Sequence, residues 1–402
     1  MLKWLKKGFN KMFSDKKEEN DSLSIRLLRI MKKASLLGAS DIHILPYETF
    51  SEIRFRIDGD LVLYRELNTM DHLRIINLLK LWSGLDSSNH IIVQEGQIVK
   101  ELPGDKVKSE FRVSFVRSEY GEKAVIRILG RTLISMDRKV LGFTAEDDLR
   151  LENVIRKRRG LILLCGATGS GKTTTIYSFL NNLKNNAVNI TTIEDPIEYV
   201  LEGITQTSVN PSGGYTYESA IKAVLRQDPD ILYVGEIRDT ETASAAINAV
   251  LTGHMVFSSV HSENIVTSFL RLFKLGINSQ QLSESVSAMI CQTLVKRVCR
   301  KCATRRHLTD EEKSILGISG DPIVYTESKS GCENCHGFKS NGRVAAYELF
   351  IPSEFEKNLL SEKFSTVTLN NIMNSHGKIN DSLRRLLCDG IISVEEALRE
   401  IK

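Results

Sequence analysis

The chain has 402 residues, 42% hydrophobic and 26% charged, with seven cysteines. That length accommodates two or three domains and buries a full core without disulfides, and an odd cysteine count argues against a secreted disulfide scaffold. No apolar stretch approaches the ~20 residues of a membrane span. Six lysines and one acid fall within residues 1–17, leaving 48 basic against 49 acidic residues elsewhere, which disfavours a nucleic-acid-binding body.

The N-terminus, MLKWLKKGFNKMF, lacks the continuous apolar core and small-residue cleavage site of a secretory signal, so a cytoplasmic protein is expected. Leu2, Leu5, Phe9, Met12 and Phe13 recur at helical spacing among lysines. Such a basic amphipathic segment contacts anionic lipid or a partner helix, or is a frayed tail. A polar linker ends the tail at residue 22. Residues 23–130 read as a mixed α/β domain. A helix starts at Leu23, and alternating strands follow at Asp41–Leu45, Ser51–Ile57, Phe111–Val116 and Ala124–Leu129, with a hairpin turn at Asp58-Gly59-Asp60. Residues 131–142 read as a connection to a second domain, 143–402. Its buried-type strands at Leu161–Cys165, Asn189–Ile193, Ile231–Val234 and Met255–Val260 alternate with helices. That alternation predicts a doubly wound, mainly parallel sheet. Beyond Ile290 the pattern loosens into a cysteine-bearing insert, 296–340, and a helical C-terminus.

Gly166-Ala167-Thr168-Gly169-Ser170-Gly171-Lys172-Thr173 fits G-x-x-x-x-G-K-[ST] between an apolar strand and a helix-like segment from Thr174. Glycines let backbone N–H groups turn inward around phosphate oxygens, and the helix N-terminus adds a favourable dipole. Lys172 is expected on the β- and γ-phosphates of ATP, and the Thr173 hydroxyl on Mg²⁺. Glu236 closes the hydrophobic strand Ile231–Val234, where an acid orients water or the metal shell; the Asp usual at the strand end is replaced by Gly235. Glu194-Asp195-Pro196 is a second acidic pair or a turn cap. His261 follows another strand, where an imidazole either hydrogen-bonds the γ-phosphate as a sensor or is a structural histidine. Cys299-x-x-Cys302 and Cys332-x-x-Cys335 suit a closed tetrahedral Zn²⁺ site, with a redox role as the rival.

These residues, in this order, resemble the secretion ATPase superfamily of type II secretion, type IV pilus and competence systems. Its Walker A resembles Gly166–Thr173, its Asp box Ile190–Tyr199, its Walker B Arg226–Asp239 and its His box Thr252–Ile265. The resemblance makes Glu236 the catalytic glutamate, with Glu194 and His261 in support. It implies an α/β chain in which a P-loop, RecA-like doubly wound sheet is preceded by a smaller α/β (PAS-like) domain. Ser40-Asp-Ile-His43, Arg54-Phe-Arg56, Arg112-Val-Ser and Gly121–Arg127 resemble that smaller domain. Its arginines, here Arg54, Arg56 and Arg112, swing onto the bound nucleotide; Arg127 also matches, on an alternation that equally gives a solvated face. The His box departs from the family as His261-Ser-Glu-Asn264, and Gln97 stands where an arginine is common. Paired cysteines resemble the secretion and pilus-extension members, whereas retraction members usually lack them.

The resemblance implies a homo-hexameric cytoplasmic ATPase that drives pilus, competence or secretion pseudopilus assembly with ATP, Mg²⁺ and Zn²⁺. It also implies an inner-membrane platform protein as partner, and no nucleic acid. A nucleotide-gated scaffold with little hydrolysis and a nucleic-acid motor are the alternatives.

Overall fold

The computed structural model describes residues 22–129, 138–184 and 187–401, so the basic tail, 1–17, lies outside the described residues. The chain divides into two compact units between Leu133 and Ile134.

The first unit opens with helix α1 (Leu23–Leu36), started by the Ser22 side chain. Strands β1 (Asp41–Pro46), β2 (Ser51–Ile57) and β3 (Asp60–Leu67) precede helix α2 (Thr69–Trp82), and β4 (Gln94–Glu101), β5 (Lys108–Ser118) and β6 (Gly121–Leu129) follow it. Together they form one antiparallel sheet ordered β3-β2-β1-β6-β5-β4. Side chains alternate across a strand, so Ile42, Ile53, Phe55, Phe111, Val113 and Ile126 are buried while their neighbours in sequence face the other way. The pairing register lines up Arg56, Asp41, Arg127, Arg112 and Gln97 across five successive strands on that second face. Asp41 accepts from Arg127 Nε at 3.0 Å. Arg54 lies one step along, held by Glu52 at 2.7 Å, and Arg56 donates to Gly59 O at 2.9 Å.

The second unit is built on seven strands ordered β15-β12-β7-β11-β10-β8-β9. They are β7 (Gly160–Cys165), β8 (Ile190–Glu194), β9 (Thr205–Ser208), β10 (Ile231–Val234), β11 (Met255–Val260), β12 (Val286–Val298) and β15 (Ser340–Phe350). All neighbours are parallel except β15, which runs against β12. Helices cover both faces: α3 (Ala145–Ile155), α4 (Lys172–Leu183), α5 (Tyr217–Val224), α6 (Thr240–Leu251), α7 (Ile265–Lys274) and α8 (Ser279–Ser285). On β7, Leu161, Leu163 and Cys165 join the core with α5, α6 and α7, whereas Ile162 and Leu164 join the core with α3 and α4. A strand buried on both faces needs an unbroken apolar run, which is what Leu161–Cys165 supplies. Each fully buried aliphatic there contributes about 1.5–3 kcal/mol.

Two features differ from expectation. The sequence pattern loosens after Ile290, yet β12 runs without a break to Val298 and pairs along most of β15. Residues 138–142 belong to the second unit rather than to a free connection. Arg138 pairs with Asp148, and Gly142 lies against Val344 and Ala345 so closely that a Cβ would meet Val344 at 2.6 Å.

The insert leaves β12 and returns to β15. It comprises β13 (Thr304–His307), α9 (Asp310–Leu316) and β14 (Ile323–Thr326). Leu308, Leu316 and Val324 share a core with α12 (Ile379–Cys388) and α13 (Val394–Glu400); α10 (Glu354–Glu362) and α11 (Thr366–Met373) complete the C-terminus.

Candidate functional site

The loop between β7 and α4 is shaped by glycine at the positions that need it. Gly166 has φ 145°, and a Cβ there would stand 2.4 Å from Gln292 O and 2.5 Å from Ser170 Oγ. Gly171 has φ 87° and is the N-cap of α4, which has no side-chain cap. By contrast α5, α6 and α7 are capped by Thr216, Asp239 and Asn264. An uncapped helix N-terminus behind a glycine loop leaves its N–H groups for an anion. Ala167, Thr168 and Gly169 form the exposed tip. Lys172, 8% exposed, donates to Gly166 O at 2.8 Å and to Ala167 O at 2.9 Å. Burial pulls its ammonium below the usual lysine range, and the Glu236 carboxylate works against that. Thr173 and Thr174 follow Lys172 in the first turn of α4.

Glu236 stands just past β10, with its side chain 12% exposed. Arg238 Nε lies 2.9 Å from one oxygen and His261 Nε2 3.3 Å from the other. The backbone on either side is pinned to the neighbouring strand: Ser259 Oγ donates to Gly235 O at 2.8 Å, and Ile237 N–H donates to Ser259 O at 2.9 Å. Gly235 has a packing reason. A Cβ there would come within 2.9 Å of the Tyr217 hydroxyl and 3.3 Å of Ile193 O, so the Asp usual at this place would need the Tyr217 ring to shift. Asn264, which ends the altered His box His261-Ser-Glu-Asn264, caps α7 by accepting from Thr267 N–H at 2.8 Å.

Glu194 is 2% exposed and enclosed by donors. Thr192 Oγ1 donates at 2.6 Å, Gln206 Nε2 at 3.1 Å, and the Tyr177 hydroxyl of α4 also donates. The carboxylate therefore ties α4 to β8 and β9. Sequence reading missed Tyr177, Gln206 and Arg238. Only Arg238, two residues from Glu236, carried a local signal; the others meet through the fold.

Burial pushes the Glu194 carboxyl above the usual carboxylate range, with its three donors acting the other way. The folded-state value then exceeds the unfolded one, so the folded protein holds this proton more tightly. Its stabilising contribution is full below the unfolded value near 4.5 and is lost as pH rises through the raised value. The thermal midpoint of Glu194→Gln, relative to wild type, is expected to climb between pH 4 and 8. A difference that stays flat across that range overturns the assignment.

The four insert cysteines bring their sulfurs within 4.8 Å of one another. Cys299–Cys332 and Cys302–Cys335 are 3.8 Å apart, and Cys332–Cys335 3.7 Å. Four sulfurs at ~2.3 Å from a tetrahedral zinc are about 3.8 Å apart, so the donor set fits that ion. Cys332 N–H also donates to Cys335 Sγ at 3.2 Å, and Asn334 Nδ2 to Cys299 Sγ at 3.8 Å. These donors suit thiolates.

Beside the loop lies a cavity of about 700 Å³, lined by Gly166, Ala167, His261, Gln292 and Glu348 and bounded by Lys378. A phosphate loop on an interior strand of a doubly wound sheet, with an imidazole and a carboxylate just past the ends of the next two strands, defines a P-loop ATP hydrolase. The family model for type II/IV secretion system proteins matches residues 16–399, and the chain belongs to that family. It is 36% identical over 388 residues to type II secretion system protein E of Aeromonas hydrophila, covering 95% of this chain and 76% of the relative. It is 35% identical over 390 residues to the type IV pilus assembly ATPase PilB of Myxococcus xanthus, covering 95% and 68%. The crystal structure of the pilus retraction motor PilT with bound ADP superposes with a TM-score of 0.60 at 26% identity, covering 93% of this chain and 96% of that one. Among the described residues no helix is long and apolar enough to cross a membrane.

Proposed function

We propose that the protein is the hexameric ATPase that drives assembly of a type IV pilus, a competence pseudopilus or a type II secretion pseudopilus. The observation that carries this is the pairing of Glu236 with His261 at strand tips beside Lys172, in a chain of the secretion family. Phosphate oxygens compete with Gly166 O and Ala167 O for the Lys172 ammonium. Gly166–Thr174 bind the nucleotide, and the Thr173 hydroxyl would hold Mg²⁺, which supplies charge neutralisation at the phosphates. Glu236 orients and deprotonates the attacking water, His261 holds the Glu236 carboxylate and reports the γ-phosphate, and Glu194 acts by position.

Arg54, Arg56 and Arg112 of the first unit supply positive charge to the transferred phosphoryl group when the units close, as the resemblance implies. Asp41 between Arg56 and Arg127 keeps that row spread across the sheet until phosphate competes for it. Closure then moves a docked inner-membrane platform protein at the cytoplasmic face of the membrane, with residues 1–17 adding contact to lipid or protein. The four-cysteine insert favours assembly over retraction.

Mg-ATP turnover per chain is expected to rise with protein concentration and plateau as rings form. Turnover per chain independent of concentration, from a species that stays monomeric with nucleotide bound, overturns the ring. Tight ATP binding without turnover points to the nucleotide-gated scaffold, and stimulation by DNA to the nucleic-acid motor.

A further inference from the structure

We propose that Gln292 is a positioning residue of the phosphate loop, fixing its phosphate-binding shape through both ends of one side-chain amide. The proposal rests on the ATPase reading of that loop.

Gln292 lies on β12, the strand beside β7, and is 2% exposed. Its Nε2 donates to Ser170 O at 2.7 Å, and its Oε1 accepts from Thr175 Oγ1 at 3.0 Å. Ser170 is inside the loop and Thr175 is in the first turn of α4. One amide therefore spans the junction where the loop becomes the helix. The Ser170 carbonyl also settles which way the amide faces. A carbonyl only accepts, so Nε2 must turn toward it, which leaves Oε1 to accept from the Thr175 hydroxyl.

That carbonyl is the informative partner. A phosphate loop works by turning peptide N–H groups inward, and a planar trans peptide then sends its carbonyl outward. An outward carbonyl in a buried place needs a donor. Ser170 O and Gly171 N–H belong to the same peptide plane, so the bond from Gln292 sets the direction of an N–H at the phosphate position. Two further contacts put the loop against this residue. Gln292 O is 2.4 Å from where a Cβ on Gly166 would sit, and Nε2 is 3.1 Å from the corresponding point on Gly171. The loop is closed around Gln292 at its first glycine, at Ser170 and at its last glycine. No phosphate-loop pattern includes this glutamine, which stands 119 residues beyond Thr173 in the chain.

Gln292→Met keeps length and burial and removes both bonds. It is expected to raise the dissociation constant for Mg-ADP and the KM for Mg-ATP about tenfold, with kcat at saturation within twofold of wild type. A residue that only fills space lowers the folded, active fraction instead, so apparent kcat falls while KM stays. Thr175→Val removes one of the amide's two holds and is expected to give a smaller rise in KM. The double variant is expected to be no worse than Gln292→Met alone, because both act through one amide. Unchanged nucleotide affinity and KM in folded Gln292→Met overturns the proposal. If that variant does not fold, unchanged KM in Thr175→Val overturns it. Wild type and Lys172→Ala separate the two readings. Wild-type protein that neither binds nor hydrolyses Mg-ATP sinks the ATPase reading. Wild-type binding that is lost in Lys172→Ala but kept in Gln292→Met sinks only the role of Gln292.

Discussion

Glu236→Gln is expected to lower saturated Mg-ATP turnover by about 10²–10⁴-fold while Mg-ADP affinity stays within a few fold of wild type. The substitution keeps the side chain's shape and removes the carboxylate proposed to take a proton from water. Its surroundings tolerate the change. Arg238 Nε at 2.9 Å still finds the amide oxygen, and His261 at 3.3 Å faces the amide nitrogen with whichever ring tautomer accepts. The phosphate-binding groups belong to the loop and to α4, so affinity does not pass through this carboxylate. Steady-state turnover and calorimetric Mg-ADP binding on the same preparation check both halves. Turnover above a tenth of wild type moves the base to another acid, with the Asp195–Glu198 segment next to be tested. Loss of ADP binding instead makes Glu236 a structural support of the loop.

How much of this site was legible in sequence follows from how local each part is. The phosphate loop was legible because strand, glycine turn and helix are consecutive, and each glycine answers a local backbone demand. Strands β7 and β10 were legible because burial on both faces leaves an unbroken apolar run, and β8 and β11 because theirs is interrupted only by a Thr pair or a Ser pair. β12 was not, since its 13 residues mix buried Met289 and Ile290 with Gln292, Lys296 and Arg297. Its pairing partner in the antiparallel direction lies beyond the insert, so no periodicity marks it as one strand. The enclosure of Glu194 was equally hidden: Tyr177, Thr192 and Gln206 come from three elements and converge only once the sheet has formed. Gly235 looked like a missing acid in sequence, and packing beneath Tyr217 gives the reason for it. The arginine row is intermediate. Alternation put Arg54 and Arg56 on one face, but only the register of β1, β6 and β5 aligned Arg56 with Arg127 and Arg112.

Cys299→Ser is expected to remove one equivalent of zinc per chain and to lower the thermal midpoint of the protein. The cysteines close the two ends of the insert against each other: Cys299 follows β12, and Cys332 and Cys335 precede β15. Structural zinc contributes apparent binding energies of ~10–16 kcal/mol in small isolated domains. Here Leu308, Leu316 and Val324 already pack on Leu383, Leu386 and Leu387 of α12, so part of the insert's order survives without metal. A loss of about 3 kcal/mol, roughly 6–12 °C for a unit of this size, is the scale expected. That shared core also predicts where the loss spreads. Proteolysis of the variant is expected to cut first within 299–339 and then in α12 and α13, leaving the seven-stranded sheet and Mg-ADP binding intact. Metal analysis and limited proteolysis under reducing conditions test this. Reduced wild-type protein without zinc, whose Cys299→Ser variant melts unchanged, returns the four sulfurs to the redox reading, for which a Cys299–Cys332 or Cys302–Cys335 disulfide in air-oxidised protein is the positive sign.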